Sequence, residues 1–281
     1  MHLGSLVAAL ASYLDARAAS GRWLLRIDDL DQPRVRPGCD ALIIRQLTNL
    51  GLAWDGEIRY QSRHLPEYQH ALGQLQKHSV VFACDCSRRT LRVAAAADPA
   101  DEAEQACVGH CRERRVTEPA ALRLDLSDLQ SDWVDRWQGP SAARVSDCIV
   151  KRRDGIYAYH LTVVVDDLAS GISDVVRGAD LLGSTAAQRG IYQALGARIP
   201  RYAHAPVITE AQGGKLAKTR HSLAVGEPVK AWRELVAALK LLLQDTPVDL
   251  EQVQTSTILE HAIRHWSPAK FAGIRSVAAA R

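Results

Sequence analysis

Several groups of residues could do chemistry by their type and spacing. His2-Leu3-Gly4-Ser5 opens an alanine-rich segment at the start of the chain. A glycine-containing turn that feeds a helix gathers free backbone N–H groups and the positive helix end at one spot, which suits a phosphate. Far downstream, Gly213-Gly214-Lys215-Leu216-Ala217-Lys218 places two ammonium groups on a glycine-led loop. Such a loop can close over a polyphosphate and favour a transition state over the bound substrate. Taken singly, His2 reads equally as an exposed terminal residue and the lysine loop as a solvated basic turn. Together they suit nucleotide chemistry.

A second group is Cys84, Cys86, Cys107 and Cys111, four of the six cysteines in the chain. Four thiolates suffice for a closed tetrahedral zinc site, and in a reducing compartment such clustering reads as metal before disulfide. His110 is an alternative ligand, and buried, unligated thiols are the alternative to a metal. Cys39 and Cys148 have no partners nearby in sequence. Asp28, Asp29 and Asp31 could present oxygens to a hard cation, although helix capping or turn formation suits the last two. Arg177 can grip a carboxylate through two parallel hydrogen bonds, or pair structurally with Asp174 or Asp180. Arg112, Arg114, Arg115, Arg152 and Arg153 suit either a phosphate backbone or a solvated face. No spacing suggests a Ser-His-Asp triad or a cysteine nucleophile.

These residues must be positioned by an α/β framework. With 281 residues, 47% hydrophobic and 24% charged, the chain has the composition of a globular protein with a sizeable core. A formal charge of +3 permits a nucleic-acid partner without demanding one. No run approaches the ~20 apolar residues of a membrane span and no signal peptide is evident, so a cytoplasmic location is expected. Helical spacing predicts helices from Leu6 to about Ala19, Asp40 to Leu50, Pro66 to Lys77, Ser184 to Leu195, Pro228 to Gln244 and Thr257 to Trp266. Strands are expected at Trp23 to Ile27, Val80 to Ala83, Leu122 to Leu126 and Asp174 to Arg177, with a hairpin from Ile149 to His160 around Asp154-Gly155. The βαβ rhythm argues for a parallel sheet covered by helices. Ala94 to Ala106 is of low complexity, and no internal repeat is present.

Read in order, the His-Leu-Gly-Ser and Lys-Leu-Ala-Lys motifs resemble the two signatures of class I aminoacyl-tRNA synthetases. Between them RIDDLDQPR, GLAWDG, DGIYAYHLTVVVDD and VVRGADLL resemble the glutamyl branch of that family. The similarity runs over most of the chain to about Leu223. Only 63 residues follow Lys218, too few for the large helical anticodon-binding region of a glutamyl-tRNA synthetase, so the chain resembles the short members of the branch. The resemblance implies a Rossmann-like catalytic domain with an inserted zinc-bearing subdomain and a short helical C-terminal part. The expected divisions are 1–79 and 146–225 for the two halves of the catalytic domain, 80–145 for the insert and 226–281 for the helical end. It further implies activation of L-glutamate by ATP, with magnesium arriving on the nucleotide, and transfer to the queuosine base of tRNA(Asp); a monomer is expected.

By the same resemblance His2, Gly4, Lys215 and Lys218 serve the nucleotide, and Asp28, Tyr159 and Arg177 serve glutamate. Ala217 stands where the family usually has serine, and Asp28 where it usually has glutamate. The zinc knuckle of the family has tyrosine where Cys107 stands, and supports the RNA rather than catalysis. Family members also carry a strand and a turn before the His-x-Gly motif, so a true start upstream is expected, with a decayed copy as the alternative. Two rival functions are a nucleotidyltransferase of the same fold and a non-catalytic tRNA-binding module.

Overall fold

The computed structural model describes residues 1–78, 81–87, 106–108, 110–116, 118–128, 132–143, 145–209, 225–246 and 254–279. Helix α1 (Leu3–Ala18) begins earlier than its apolar spacing predicts, because the His2 side chain caps it by accepting the Ser5 N–H. Leu6, Val7, Leu10 and Leu14 lie on its buried face. Of the predicted strand at Trp23 to Ile27, only β1 (Arg26–Ile27) pairs as a strand; Trp23 instead donates its N–H to the Asp55 carboxylate. Helix α2 (Cys39–Asn49) then crosses over to β2 (Arg59–Tyr60), which runs parallel to β1. Helix α3 (Leu65–His78) follows.

The middle of the chain is antiparallel. Strands β3 (Val81–Cys84), β4 (Ala121–Asp125) and β7 (Asp147–Lys151) form one sheet in the order β3-β4-β7. Strands β5 (Asp132–Asp135) and β6 (Gly139–Ala142) form a hairpin that sequence patterning missed. The hairpin expected from Ile149 to His160 is reduced to a single bridge between Lys151 and Tyr157. From Tyr159 the chain is helix α4 (Tyr159–Ala169). Its run of valines imitates a strand by composition, but Leu161, Val164 and Val165 follow helical spacing and are buried.

A second parallel unit consists of β8 (Asp174–Gly178), α5 (Ser184–Ala194) and β9 (Arg201–Ala205), with Arg177 opposite His204 in the register. Strand β10 (Val207–Thr209) pairs in parallel with β11 (Ser276–Ala278), a strand in the part of the chain expected to be helical. Helices α6 (Ala231–Leu241) and α7 (Thr255–Arg264) supply the helical portion. Among the described residues the parallel strands form separate two-stranded ladders rather than one continuous sheet.

One core joins α1 to α6, α7, Trp137 and β9; the other joins α3, α4 and α5 to β4 and β7. A cavity of about 460 Å³ opens near the C-terminal end of α1, lined by Ala16, Trp23, Arg136 and Asp174. Its lining residue Ala16 is fourteen positions along the chain from His2, about 21 Å at 1.5 Å per residue. No helix among the described residues is long and apolar enough to cross a membrane.

Candidate active site and cysteine cluster

The N-terminus of α1 is built to hold a ring and a close strand. His2 Nδ1 accepts the Ser5 N–H at 3.2 Å, and its Nε2 lies 3.0 Å from Ser5 Oγ. A Cβ at Gly4 would stand 3.3 Å from the His2 ring and 4.0 Å from Cβ of Ile208 on β10. Gly4 thus keeps the helix entrance open on the side where β10 passes. Lys215 and Lys218 lie outside the described residues, but both flanks of their segment are placed. Upstream, β10 ends at Thr209 beside Gly4. Downstream, Val225 donates its N–H to the Met1 carbonyl at 3.2 Å, and Asn49 of α2 holds the Gly226 carbonyl at 2.8 Å. Gly226 has φ of 89°, and a Cβ there would come within 2.7 Å of Gln46. The described residues on both sides of the lysine segment therefore lie at the helix end that carries His2.

A network of charges ties β1 and β2 to α4. Arg26 donates to Asp28 at 2.8 Å and to Asp167 at 2.6 Å. Asp166, fully buried, accepts from Arg59 Nε and Gln61 Nε2 at 2.7 Å and from the Tyr68 hydroxyl at 2.8 Å. Burial raises the Asp167 pKa above the usual carboxylate value, with Arg26 pulling against it. Asp28 is thus already paired with Arg26, and its side chain is 41% exposed. Asp29 accepts from the N–H and hydroxyl of Ser62, while Asp31 pairs with Arg34 and Arg152. Asp29 thus clamps the distant Ser62, whereas Asp31 stands at the N-cap of the turn Gln32–Arg34, its carbonyl accepting the Arg34 N–H at 2.8 Å while its side chain binds the two arginines.

Arg177, on β8, forms no ion pair with Asp174 or Asp180. Asp174 is taken by Arg136 and Arg201. Among the described residues the Arg177 guanidinium instead donates to neutral groups: His204 Nε2 at 3.0 Å, Gln188 Oε1 at 2.7 Å, the Leu181 carbonyl at 3.1 Å and Thr185 Oγ1 at 2.9 Å. It also lies over the Tyr202 ring, 5.4 Å from the centroid. Four of its five N–H groups are engaged, which leaves one N–H on Nη1 for a further acceptor. Beside it, Gln188 Nε2 and His160 Nδ1 are buried without hydrogen-bond partners. Burial, with a contribution from Arg177, pushes the His160 pKa down to about 4, so this imidazole is neutral at pH 7. Tyr159, the first residue of α4, is 42% exposed and stacks obliquely on His160. The structure thus brings Tyr159 and Arg177 to one region around His160 and Tyr202. Asp28 reaches it only through Arg26 and Asp167.

Sequence reasoning missed Asp135, Gln188 and His204 in this region. Asp135 and His204 are buried ionisable residues on short strands, and only the register that sets Arg177 opposite His204 reveals their connection.

The four cysteines do converge. All four Sγ atoms lie within 4.8 Å of one another, with Cys84–Cys107 at 3.7 Å, Cys86–Cys107 at 3.9 Å and Cys86–Cys111 at 3.6 Å. A tetrahedral site with metal–sulfur bonds of about 2.3 Å has sulfurs about 3.8 Å apart, so the spacing fits a metal. Burial pushes the thiols of Cys84 and Cys111 up, so thiolates there need a cation beside them. His110 is 82% exposed and outside the cluster, which leaves Cys107 as the fourth member.

Buried Asp147 anchors this knot: it accepts both the Cys107 N–H and the side chains of Arg112 and Arg123. Arg114 pairs with Asp85 and donates to Cys111 Sγ at 3.3 Å. Arg152 binds Asp31 and Asp154, and Arg153 donates to the Asp85 carbonyl. Of the arginines considered for phosphate contact, Arg112, Arg114, Arg152 and Arg153 therefore hold the protein together in this structure.

Fold and site together define a class. A family model, tRNA synthetases class I (E and Q), catalytic domain, matches residues 1–254, and the chain belongs to this family. It is therefore a ligase of the aminoacyl-tRNA synthetase type. More particularly, it is similar to the glutamyl-Q tRNA(Asp) synthetases of Pseudomonas aeruginosa and Pseudomonas fluorescens, each 42% identical over 96% of this chain and covering 90% and 89% of those proteins. The protein of that name from Ectopseudomonas mendocina is 40% identical over 100% of this chain and 94% of its own length. Among solved structures, the glutamate-tRNA synthetase of Elizabethkingia anophelis superposes with a TM-score of 0.76 at 23% identity, covering 99% of this chain and 65% of that one. The chain thus has the fold of the longer enzyme over somewhat less than two thirds of its length.

Proposed function

We propose that the chain activates L-glutamate with ATP and transfers it to the queuosine base of tRNA(Asp). The observation that carries this reading is Arg177, a guanidinium whose hydrogen bonds among the described residues all go to neutral partners and leave one N–H unengaged. Such a site is short of an anion, and a substrate carboxylate supplies it. The near full-length likeness to glutamyl-Q tRNA(Asp) synthetases supports glutamate and the modified tRNA as its substrates.

In the first step a carboxylate oxygen of glutamate bonds to the α-phosphorus of ATP as the bond to the β-phosphate bridging oxygen breaks, giving glutamyl-adenylate and pyrophosphate. Residues of the chain act chiefly by positioning and charge stabilisation. His2 and the α1 N-terminus receive phosphate oxygens, and Gly4 leaves the nucleotide room. Lys215 and Lys218 offset the charge of departing pyrophosphate, with magnesium held largely by the phosphates. Arg177 binds a carboxylate through its remaining Nη1–H, and Tyr159 borders the same region. Asp28 faces the substrate ammonium from the Arg26 pair. In the second step the acyl group passes to the queuosine base and AMP leaves.

Cys84, Cys86, Cys107 and Cys111 would hold one structural zinc, which ties Cys107 and Cys111 to the end of β3. The insert, spanning 80–145, supports tRNA beside the catalytic halves at 1–79 and 146–225, with 226–281 packed against α1. The protein acts as a cytoplasmic monomer on this reading. Amino-acid-dependent ATP–pyrophosphate exchange tests it: exchange is expected with glutamate and not with glutamine or aspartate. Zinc-loaded, folded protein that gives no exchange with glutamate would refute catalysis by this chain.

A further inference from the structure

We propose that Asp135 and His204 form a positioning pair that sets the Arg177 guanidinium for a substrate carboxylate, an inference that rests on reading Arg177 as the carboxylate contact. Arg177 and His204 are register partners on β8 and β9. Arg177 Nε lies 3.0 Å from His204 Nε2, and a guanidinium can only donate. His204 Nε2 therefore offers its lone pair, and the ring proton resides on Nδ1. That proton is donated to Asp135 Oδ2 at 2.6 Å. The other carboxylate oxygen, Oδ1, accepts three backbone N–H groups, from Trp137 at 3.1 Å, Gln138 at 2.9 Å and His204 at 3.2 Å. Asp135 is thus fixed by the turn of the β5–β6 hairpin, His204 by Asp135, and Arg177 by His204. Both side chains of the pair are fully buried.

The imidazole is not needed to attach the hairpin. The Arg136 N–H already binds the Tyr202 carbonyl at 2.8 Å, and Gln138 Nε2 binds the carbonyls of His204 and Ile274 at 2.8 and 3.0 Å. What the imidazole adds is an acceptor for Arg177 Nε. With Gln188, Leu181 and Thr185 on the remaining bonds, this acceptor settles the rotation of the guanidinium and where its unengaged N–H points.

The groups that face His204 are Asp135 from β5, Arg177 from β8, Asp180 from the turn after β8, Thr185 from α5 and Tyr202 stacked along its own strand. Burial lowers the His204 pKa from 6.5, Asp135 works against the shift and Arg177 reinforces it. Protonation of the ring would remove the acceptor and place a second cation beside Arg177.

The test uses the full chain and measures the Kd for glutamate by calorimetry between pH 5.5 and 8, with the 15N shifts of the His204 ring as a second readout. Asparagine reproduces the Nδ1–H donor without reaching Arg177, and glutamine reproduces the Nε2 acceptor. His204→Asn is expected to weaken glutamate about tenfold and leave the Kd for ATP unchanged, while His204→Gln stays within about threefold of wild type. Wild-type affinity should fall towards the acidic end of that range, and His204→Asn should lack the fall. The ring should report a proton on Nδ1 and none on Nε2. Equal losses in both variants, an unchanged Kd in His204→Asn or a proton on Nε2 would overturn the proposal. Arg177→Gln separates the two layers. If it weakens glutamate while His204→Asn does not, the positioning pair alone fails. If it leaves glutamate binding intact, or wild type binds no glutamate, the reading of Arg177 fails and takes the pair with it. Should His204→Asn not fold, the tautomer and the wild-type pH profile decide.

Discussion

The charge balance at Arg177 gives a sharp prediction through Gln188→Glu. Gln188 is 2% exposed and places Oε1 2.7 Å from Arg177 Nη1, so the change replaces an amide nitrogen by an oxygen at constant volume. It also removes the unpartnered Nε2 donor and gives Arg177 a permanent carboxylate partner. Two unit charges about 4 Å apart interact by about 4 kcal/mol at an effective dielectric of 20. A substrate carboxylate would then meet a neutralised pair in place of a cation. Allowing half or more of that Coulomb term to survive as lost affinity, the variant should weaken glutamate by about 2–3 kcal/mol, or roughly 30- to 150-fold. The thermal midpoint should hold or rise, since the new ion pair satisfies a half-buried guanidinium. Glutamate titrations of pyrophosphate exchange at pH 7.5, with ATP titrations as control, measure the effect. An unchanged KM for glutamate would refute the assignment of Arg177 as the anion site.

Three further perturbations follow from the same structure. Asp166→Asn removes the buried charge that accepts from Arg59, Gln61 and Tyr68, and by analogy with other broken buried pairs should cost about 3 kcal/mol, lowering the thermal midpoint by about 6–12 °C. A midpoint within about 2 °C of wild type would contradict that role for the network. Purified protein should contain about one equivalent of zinc by elemental analysis, and Cys111→Ser or strong chelation should remove it, whereas His110→Ala should not. Finally, the neutral burial of His160 contributes stability that is full above its unfolded pKa of 6.5 and is lost as pH falls towards its folded value of about 4. That shift corresponds to about 3 kcal/mol, so denaturant midpoints should drop between pH 7 and 5, and His160→Leu should flatten the decline. An equal decline in both proteins would assign the effect to other groups.

Much of the framework is legible in the sequence because it depends on local spacing. The apolar period of α1, α2, α3 and α5 predicts their positions to within a few residues, and the cysteine types already specify what they can bind. The family motifs likewise fix the class of enzyme without any coordinates. Helix α4 was legible only as an apolar run, since its valines favour either structure until packing against α3 and α5 decides. The short strands β2, β5, β6, β9, β10 and β11 are hidden because two to five residues carry too little periodicity, and their partners are distant in sequence.

What only the tertiary structure decided is which charges are free. By sequence, Arg112, Arg114, Arg152, Arg153 and Arg177 are equivalent cations; in space Arg112, Arg114 and Arg152 pair with carboxylates and Arg153 donates to a backbone carbonyl, while Arg177 spreads its hydrogen bonds over four neutral acceptors among the described residues. The same holds for His204, whose tautomer is dictated by Asp135, 69 positions away, and by Arg177, 27 positions away. Residue type and spacing determine what a side chain can donate, accept or ligate. Whether it does so depends on distance and burial, which scale electrostatic energy steeply and are set only when the chain has folded.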